Sequence, residues 1–327
     1  DYINLISSGS GGSGWSPHPD WIDISTVQNN EINLLVSDGG VGIAFAVTVA
    51  SSGTYTIDWG DTTVEKSRAS GTTYSHQYTI GSGKSVNNGQ YTVFKIRIYG
   101  ATGNITRFQM KRHPDYTRPT YAPVLWVVFG TNYITDYSNT FYIGGQVECR
   151  ELQACVIPSF ANCGATVNMF YYCYSLSSIT LPTSWGSVTN VSSMLANCSL
   201  LSSITLPTSW GSVTSAVGML QYCYSLRILN NLNYLGHQTI AADFTDILKN
   251  AQALTGTLTI ASKLTKIGIY GESGHSLKCT GIRLTNGAST WTGSSPQINV
   301  NYCSLDATAL NTLFGDLETI TGKTIKI

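Results

Sequence analysis

Charge is scarce in this chain: 11% of its 327 residues are Asp, Glu, Lys or Arg, against roughly 25% in an average soluble domain. The 18 basic and 18 acidic side chains cancel, so no global field recruits nucleic acid or an anionic surface. No run of 18 apolar residues occurs, so no membrane insertion is expected. Metal and redox signatures are missing too. The eight cysteines form no Cys-x-x-Cys, and the five histidines, at 18, 76, 113, 237 and 275, show no ligand spacing. Neither a Gly-x-Ser-x-Gly elbow nor a Cys/His nucleophile arrangement stands out. Carboxylate pairs for glycoside hydrolysis, which can be distant in the chain, are the one enzymatic arrangement left open. The expectation is a protein without catalysis, cofactor or metal.

Gly, Ser, Thr and Asn stand where charges are absent. That balance suits an all-β or solenoid protein with hydroxyl-rich surfaces and argues against a helical bundle. The repeat pattern says which. The thirteen residues Ser177–Thr189 recur letter for letter as Ser202–Thr214, at a spacing of 25. Cys173, Cys198 and Cys223 fall in phase, as do Met169, Met194 and Met219. A fixed period of this length marks a solenoid, whose turns each need a neighbour to bury their apolar side. The in-phase cysteines read as reduced core residues; Cys149 and Cys155 are the pair expected if any disulfide forms. Within each unit Ile-Thr-Leu reads as a strand that Pro182 or Pro207 ends. Trp185 and Trp210 read as fillers of the turn. Near the C-terminus, Leu310, Leu313, Phe314 and Leu317 form a helical face with Ser304 or Asp306 as N-cap, and Thr324–Ile327 a closing strand.

The first third reads differently. Residues 1–14 are an arm and a Gly/Ser tether, the arm being either a strand added to a neighbour or a frayed end. The start at Asp1 fits removal of a leader or pro-segment, or numbering of a processed form. Residues 15–110 hold short β-branched and aromatic runs separated by turns, the pattern of a β-sandwich. Residues 111–140 read as a connector plus the first strand of a second unit, and 141–327 as the solenoid. Gly81-Ser-Gly-Lys-Ser85 ends like a phosphate-binding loop but has Tyr78 where that motif needs glycine, and strands on both sides; it reads as a hairpin loop. Asp58 and Asp61 read as turn residues rather than a calcium pair. Asn104, Asn190 and Asn197 begin glycosylation triplets of the kind that chance supplies in such a composition.

Two resemblances add to this. Tyr55-Thr-Ile-Asp-Trp-Gly-Asp61, Tyr74-Ser-His-Gln-Tyr78 and Tyr91-Thr-Val-Phe-Lys-Ile96 resemble the PKD family of immunoglobulin-like domains, with Thr62 where that family has Gly. The Trp15-Ser-Pro-His-Pro-Asp-Trp-Ile22 lead-in resembles that of PKD-like modules in bacteriophage structural proteins. Met169-Phe-Tyr-Tyr-Cys173 with Leu176 resembles the core of the leucine-rich repeats of BspA-like and mycoplasma surface proteins. Together they imply a mainly β chain: a PKD/Ig-like β-sandwich, then a leucine-rich-repeat solenoid closed by a helix and strand cap.

Function then falls to surface. Outward strand positions carry Thr180 and Thr205, with Arg227 continuing the row, and Tyr171, Tyr172, Tyr174, Tyr222 and Tyr224 flank the in-phase cysteines. Tyrosine is a favoured contact residue whose flat face also suits sugars. These eight residues are the candidate binding surface. The expected role is a structural or binding protein on the surface of a bacteriophage particle (tail fibre, spike or capsid decoration). Its partners would be other virion proteins or a host-surface glycan or protein, and a homo-oligomer is compatible. The lead-in, the zero net charge and the lack of a sorting signal up to Ile327 place this ahead of a bacterial surface adhesin. A carbohydrate-active protein with a PKD accessory domain ranks third.

Overall fold

Runs of Val, Ile, Phe, Tyr and Trp favour extended backbone, and the first third of the chain is built almost wholly of strands. The computed structural model describes residues 16–38, 42–86, 91–115, 120–145, 147–231, 234, 242–260, 264–271, 278–284, 298–316 and 325–327. The expected N-terminal arm and tether lie outside these residues. In chain order the strands are β1 (Ile32–Ser37), β2 (Ile43–Val49), β3 (Thr54–Asp58), β4 (Val64–Ala69), β5 (Thr73–His76), β6 (Lys84–Val86) and β7 (Tyr91–Tyr99). Then come β8 (Ile105–Met110), β9 (Thr120–Tyr121), β10 (Val124–Phe129), β11 (Tyr142–Ile143), β12 (Val147–Glu148) and β13 (Ala154–Val156). Shorter strands follow at repeat spacing: β14 (Ser178–Thr180), β15 (Ser203–Thr205) and β16 (Ile228–Asn230). The chain continues with β17 (Ala242–Phe244), β18 (Thr255–Ile260), β19 (Leu264–Gly268), β20 (Lys278–Leu284), β21 (Ile298–Asn299), α1 (Ala307–Gly315) and β22 (Ile325–Lys326). The protein is mainly β, and its second half is a β-solenoid of about five turns.

The two halves share a sheet. β10 pairs antiparallel with β1 and parallel with β13, which pairs parallel with β14. The largest sheet therefore runs β14-β13-β10-β1-β7-β3-β4, with β6 also on β7. The strand expected to start a second unit is thus a central strand of the shared sheet, and the connector before it supplies β9, which pairs with β12. Alternation along β7 assigns its faces: Phe94, Ile96 and Ile98 enter the main core, while Val93 and Tyr91 join Trp21, Ile24 and Trp126 on the other side. The Pro-rich lead-in covers that second face, where Trp21 Nε1 donates to Tyr91 Oη at 3.0 Å. A smaller sheet, β5-β2-β8, contributes Phe45 and Phe108 to the main core.

That core is continuous from Ile32 to Leu313. Aromatic rings thread it: Trp59–Phe45 at 5.2 Å, Phe45–Phe108 at 5.5 Å and Phe108–Phe129 at 5.9 Å. The row goes on through Phe129–Tyr137 at 5.3 Å, Tyr137–Phe160 at 5.4 Å and Phe160–Trp185 at 5.9 Å. Trp185–Trp210 at 4.8 Å and Trp210–Phe244 at 5.7 Å complete it. Trp185 and Trp210 are fully buried, so they are turn fillers and not surface groups. At the far end Asp306 caps α1 by accepting from the Ala309 N–H at 2.8 Å, Leu313 is buried, and β22 pairs with β21.

Because the spine and the β10 sheet cross both halves, Trp185→Ala should cost about 3–5 kcal/mol. The loss should appear as one shifted denaturation curve, whether followed by hydrogen exchange in β7 or in β14. Trp185→Phe should cost much less, since the buried indole Nε1 has no hydrogen-bond partner.

Candidate functional site

Each solenoid turn opens on a short parallel bridge, in the row Asp136, Ala165, Asn190, Ser215 and Asp243. Two tight turns follow, and their backbone bonds run to the next rung: Phe170 N to Met194 O at 2.8 Å, Leu195 N to Met219 O at 3.0 Å and Leu220 N to Ile247 O at 3.0 Å. Making these bonds while turning forces left-handed backbone at two places per rung. The first is held by Asn168, Ser193, Gly218 and Asp246, with φ of 53°, 52°, 61° and 59°. The second is held by Tyr172, Asn197, Tyr222 and Asn250, with φ of 63°, 64°, 61° and 58°. Asn, Asp and Gly tolerate this region. Tyrosine does not, and each costs on the order of 1–3 kcal/mol there.

The strained tyrosines belong to a cluster. Tyr171 and Tyr172 have ring centroids 4.2 Å apart, Tyr172 and Tyr174 5.6 Å, and Tyr142 lies 4.8 Å from Tyr171. Arg150, held by Glu148 at 2.6 Å, sits 4.1 Å over Tyr121 and 5.3 Å over Tyr174. Burial, then the neighbouring Tyr172 and Tyr142, push the Tyr171 phenol well above its ordinary value. Two rungs on, Tyr222 and Tyr224 stand 6.1 Å apart, and Lys249 Nζ lies over the rings of Tyr222 and Tyr270 at 5.4 and 5.7 Å. Tyr171, Tyr172, Tyr174 and Tyr222 are half-buried and Tyr224 is 43% exposed.

The other three sequence candidates stand apart from these rings. Thr180 and Thr205 are exposed at the ends of β14 and β15, where Asn230 Nδ2 donates to Thr205 Oγ1 at 3.2 Å. Arg227 is exposed just before β16. Sequence reasoning missed Tyr121, Tyr142, Arg150, Lys249 and Tyr270. One signal was available: Asn139-Thr-Phe-Tyr142 copies Asn168-Met-Phe-Tyr171 at a spacing of 29, and Phe141 stacks on Phe170 at 5.2 Å.

Elsewhere polar groups are used for structure. Asp58 and Asp61 accept from the N–H groups of Gly60 and Thr63, at 2.9 and 3.1 Å, as turn residues do. Burial opposes the Asp61 charge, but bonds from His76 at 2.7 Å and from Thr63 outweigh it and hold the carboxyl below its usual range. The Gly81 N–H is taken by Asp38 at 3.0 Å, and β6 follows that loop directly. Among the described residues no three His, Cys, Asp or Glu side chains converge as metal ligands, and no helix is long and apolar enough to cross a membrane.

All eight cysteines are free, Cys149 and Cys155 included, and only Cys303 is not buried. Cys198 and Cys223 donate to the carbonyls of Phe170 and Leu195 in the rung before, at 3.4 and 3.2 Å. Burial pushes the Cys223 thiol up to about 12 and the Cys163 thiol to about 11. Cys303 is partly exposed, but its hydrogen bond with Cys279 and then burial push its thiol well up, so iodoacetamide should label even this cysteine only slowly in the native protein. Cys149, Cys173, Cys198 and Cys223 should react only when denaturant unfolds the solenoid, which peptide mass mapping would show.

No protein-family model, no curated protein and no solved structure matches this chain, so the tyrosine-lined rungs are interpreted from their own geometry.

Proposed function

We propose that this chain is a non-enzymatic attachment protein that presents the tyrosine-lined rungs of its solenoid to a partner. The observation that carries this reading is the left-handed backbone of solenoid tyrosines, Tyr172 and Tyr222 with Tyr302 further along, where Asn197 and Asn250 show what the fold itself prefers. Strain of this kind persists where the surroundings over-determine it, and it gathers at functional sites. The continuous core suits the task, since a surface fixed to one rigid body loses little entropy on binding.

The finer reading is a PKD-type sandwich carrying a leucine-rich-repeat-type solenoid, within a bacteriophage particle. Its support in the first region is local. Thr62 stands where the PKD pattern has Gly and has φ of +78°, the backbone that glycine serves. His76 stacks on Trp59 at 4.9 Å and bonds Asp61, so the residues of the resemblance meet in space. In the solenoid, Met169, Phe170, Cys173 and Leu176 are all buried, as repeat-core positions must be.

The protein should co-purify with intact virions at fixed stoichiometry, its antibody epitopes accessible on the particle. Recovery from cell-envelope fractions alone would replace the particle with a bacterial surface adhesin. In either setting, Tyr171→Ala with Tyr174→Ala should lower adhesion to host cells at least tenfold without lowering the melting temperature. Unchanged adhesion would remove the tyrosine rungs from the function.

A further inference from the structure

The second left-handed column carries Tyr172, Asn197, Tyr222 and Asn250 on successive rungs, and Tyr302, ahead of Cys303, repeats the conformation further along. Backbone bonds from Tyr172 N to Ala196 O, from Asn197 N to Gln221 O and from Tyr222 N to Lys249 O fix that order, at 3.1, 2.9 and 2.8 Å. Tyr172 and Tyr222 are thus equivalent positions two rungs apart, a separation of roughly 10 Å at the usual strand spacing. Between them the half-buried Asn197 makes no side-chain hydrogen bond among the described residues. Ser175, Ser199 and Ser225, next to the tyrosine positions in sequence, are half-buried hydroxyls.

We propose that the ligand is an extended β-1,4-linked polysaccharide running along the solenoid axis. Alternate sugars pack on Tyr172 and Tyr222, and the sugar between them bonds to the Asn197 amide. This rests on the solenoid being the attachment surface. A flat β-1,4 chain turns each sugar over relative to the last, so the same face returns every second residue, at about the two-rung separation. Lys249 Nζ lies 5.4 Å from the centroid of the Tyr222 ring, a cation beside the proposed sugar position. An extended peptide fits badly: at roughly 3.3 Å per residue, three residues span the gap and the side chain there points to the opposite face. A polyproline helix has a similar repeat but offers only carbonyl acceptors. The Asn197 amide and the Ser175 and Ser225 hydroxyls can both donate and accept, while Ser199 Oγ donates to the Tyr174 carbonyl at 3.3 Å and is left as an acceptor, which matches hydroxyl-bearing sugars.

Calorimetric titration of the full chain with cellohexaose and chitohexaose, against maltohexaose and a decaproline peptide, tests this. At least one β-1,4 hexasaccharide should bind more tightly than maltohexaose or decaproline. Tyr172→Asn or Tyr222→Asn should weaken it tenfold or more with the melting temperature unchanged or raised, because asparagine already occupies this column. Asn197→Ala should weaken it less. Absence of binding by both β-1,4 hexasaccharides, equal binding of maltohexaose, preference for decaproline, or tyrosine variants that bind like wild type would each overturn the proposal. So would a melting temperature that falls with binding, since the tyrosines would then hold the fold. If the hexasaccharides fail while Tyr171→Ala with Tyr174→Ala still abolishes adhesion, the ligand class is wrong and the attachment reading stands. If adhesion is also unchanged, both fall.

Discussion

Every rung of this protein gives its backbone N–H and C=O groups to the rung beside it, and that ladder is the constraint on which the rest depends. An end rung left open would strand a row of polar groups and invite another chain to pair. At the N-terminal side the solution is β10, which offers one edge to β1 and the other to β13. The first region therefore serves as the cap of the solenoid, and the bonds from Tyr137 N to Ala165 O and from Thr135 N to Thr106 O reinforce the join at 3.0 and 2.9 Å. At the other end β22 pairs with β21, and α1 places Leu313 in the core.

The same ladder dictates residue choice at the surface. Bonding to the next rung while the chain turns needs positive φ at two places per rung, so Asn, Ser, Asp and Gly recur there. Against that background a tyrosine is informative where an asparagine is not. The composition follows from the same cause: a chain that spends its surface on such turns and on short hydroxyl-bearing strands has few places for charge. Some of the charge that remains is tied down, as in the Arg97–Glu31 pair at 3.0 Å or in Arg150 over two tyrosine rings.

The period, the inward Cys, Met and Leu positions and the turn-filling tryptophans were legible in the sequence because a stacked residue meets its own copy. The two faces of β7 were legible as alternation. The sharing of β10 was not, because its partners lie far away in the chain and nothing local in Val124–Phe129 distinguishes a central strand from the first strand of a new unit. The tyrosines flanking Cys173 and Cys223 could be named, but their backbone could not: Tyr172 reads like Tyr171 until φ is known. Tyr142 and Lys249 were lost because the rungs containing them depart from the 25-residue spacing. Asp136 to Ala165 is 29 residues and Ser215 to Asp243 is 28. The helix cap lay between Ser304 and Asp306, and only the bond to Ala309 decides it.

The duplicated thirteen residues gain a physical explanation from this packing. Ser184 bridges Ser209, Trp185 lies on Trp210, and the Thr189 and Thr214 hydroxyls donate to Gly164 and Thr189 carbonyls at 3.0 and 3.2 Å. A side chain at Gly211 would collide with the backbone carbonyl of Gly186 below it, so position 211 must be glycine. In such a stretch a change in one copy has to be accommodated by the other, and identity is the simplest state that satisfies both. The tyrosine column is under no such rule, because Tyr172 and Tyr222 are separated by a rung that carries Asn197. Similarity between rungs therefore measures how tightly a position is stacked on its own copy. The positions free to differ are those facing outward, and there a residue that the local backbone disfavours needs a reason from outside the fold.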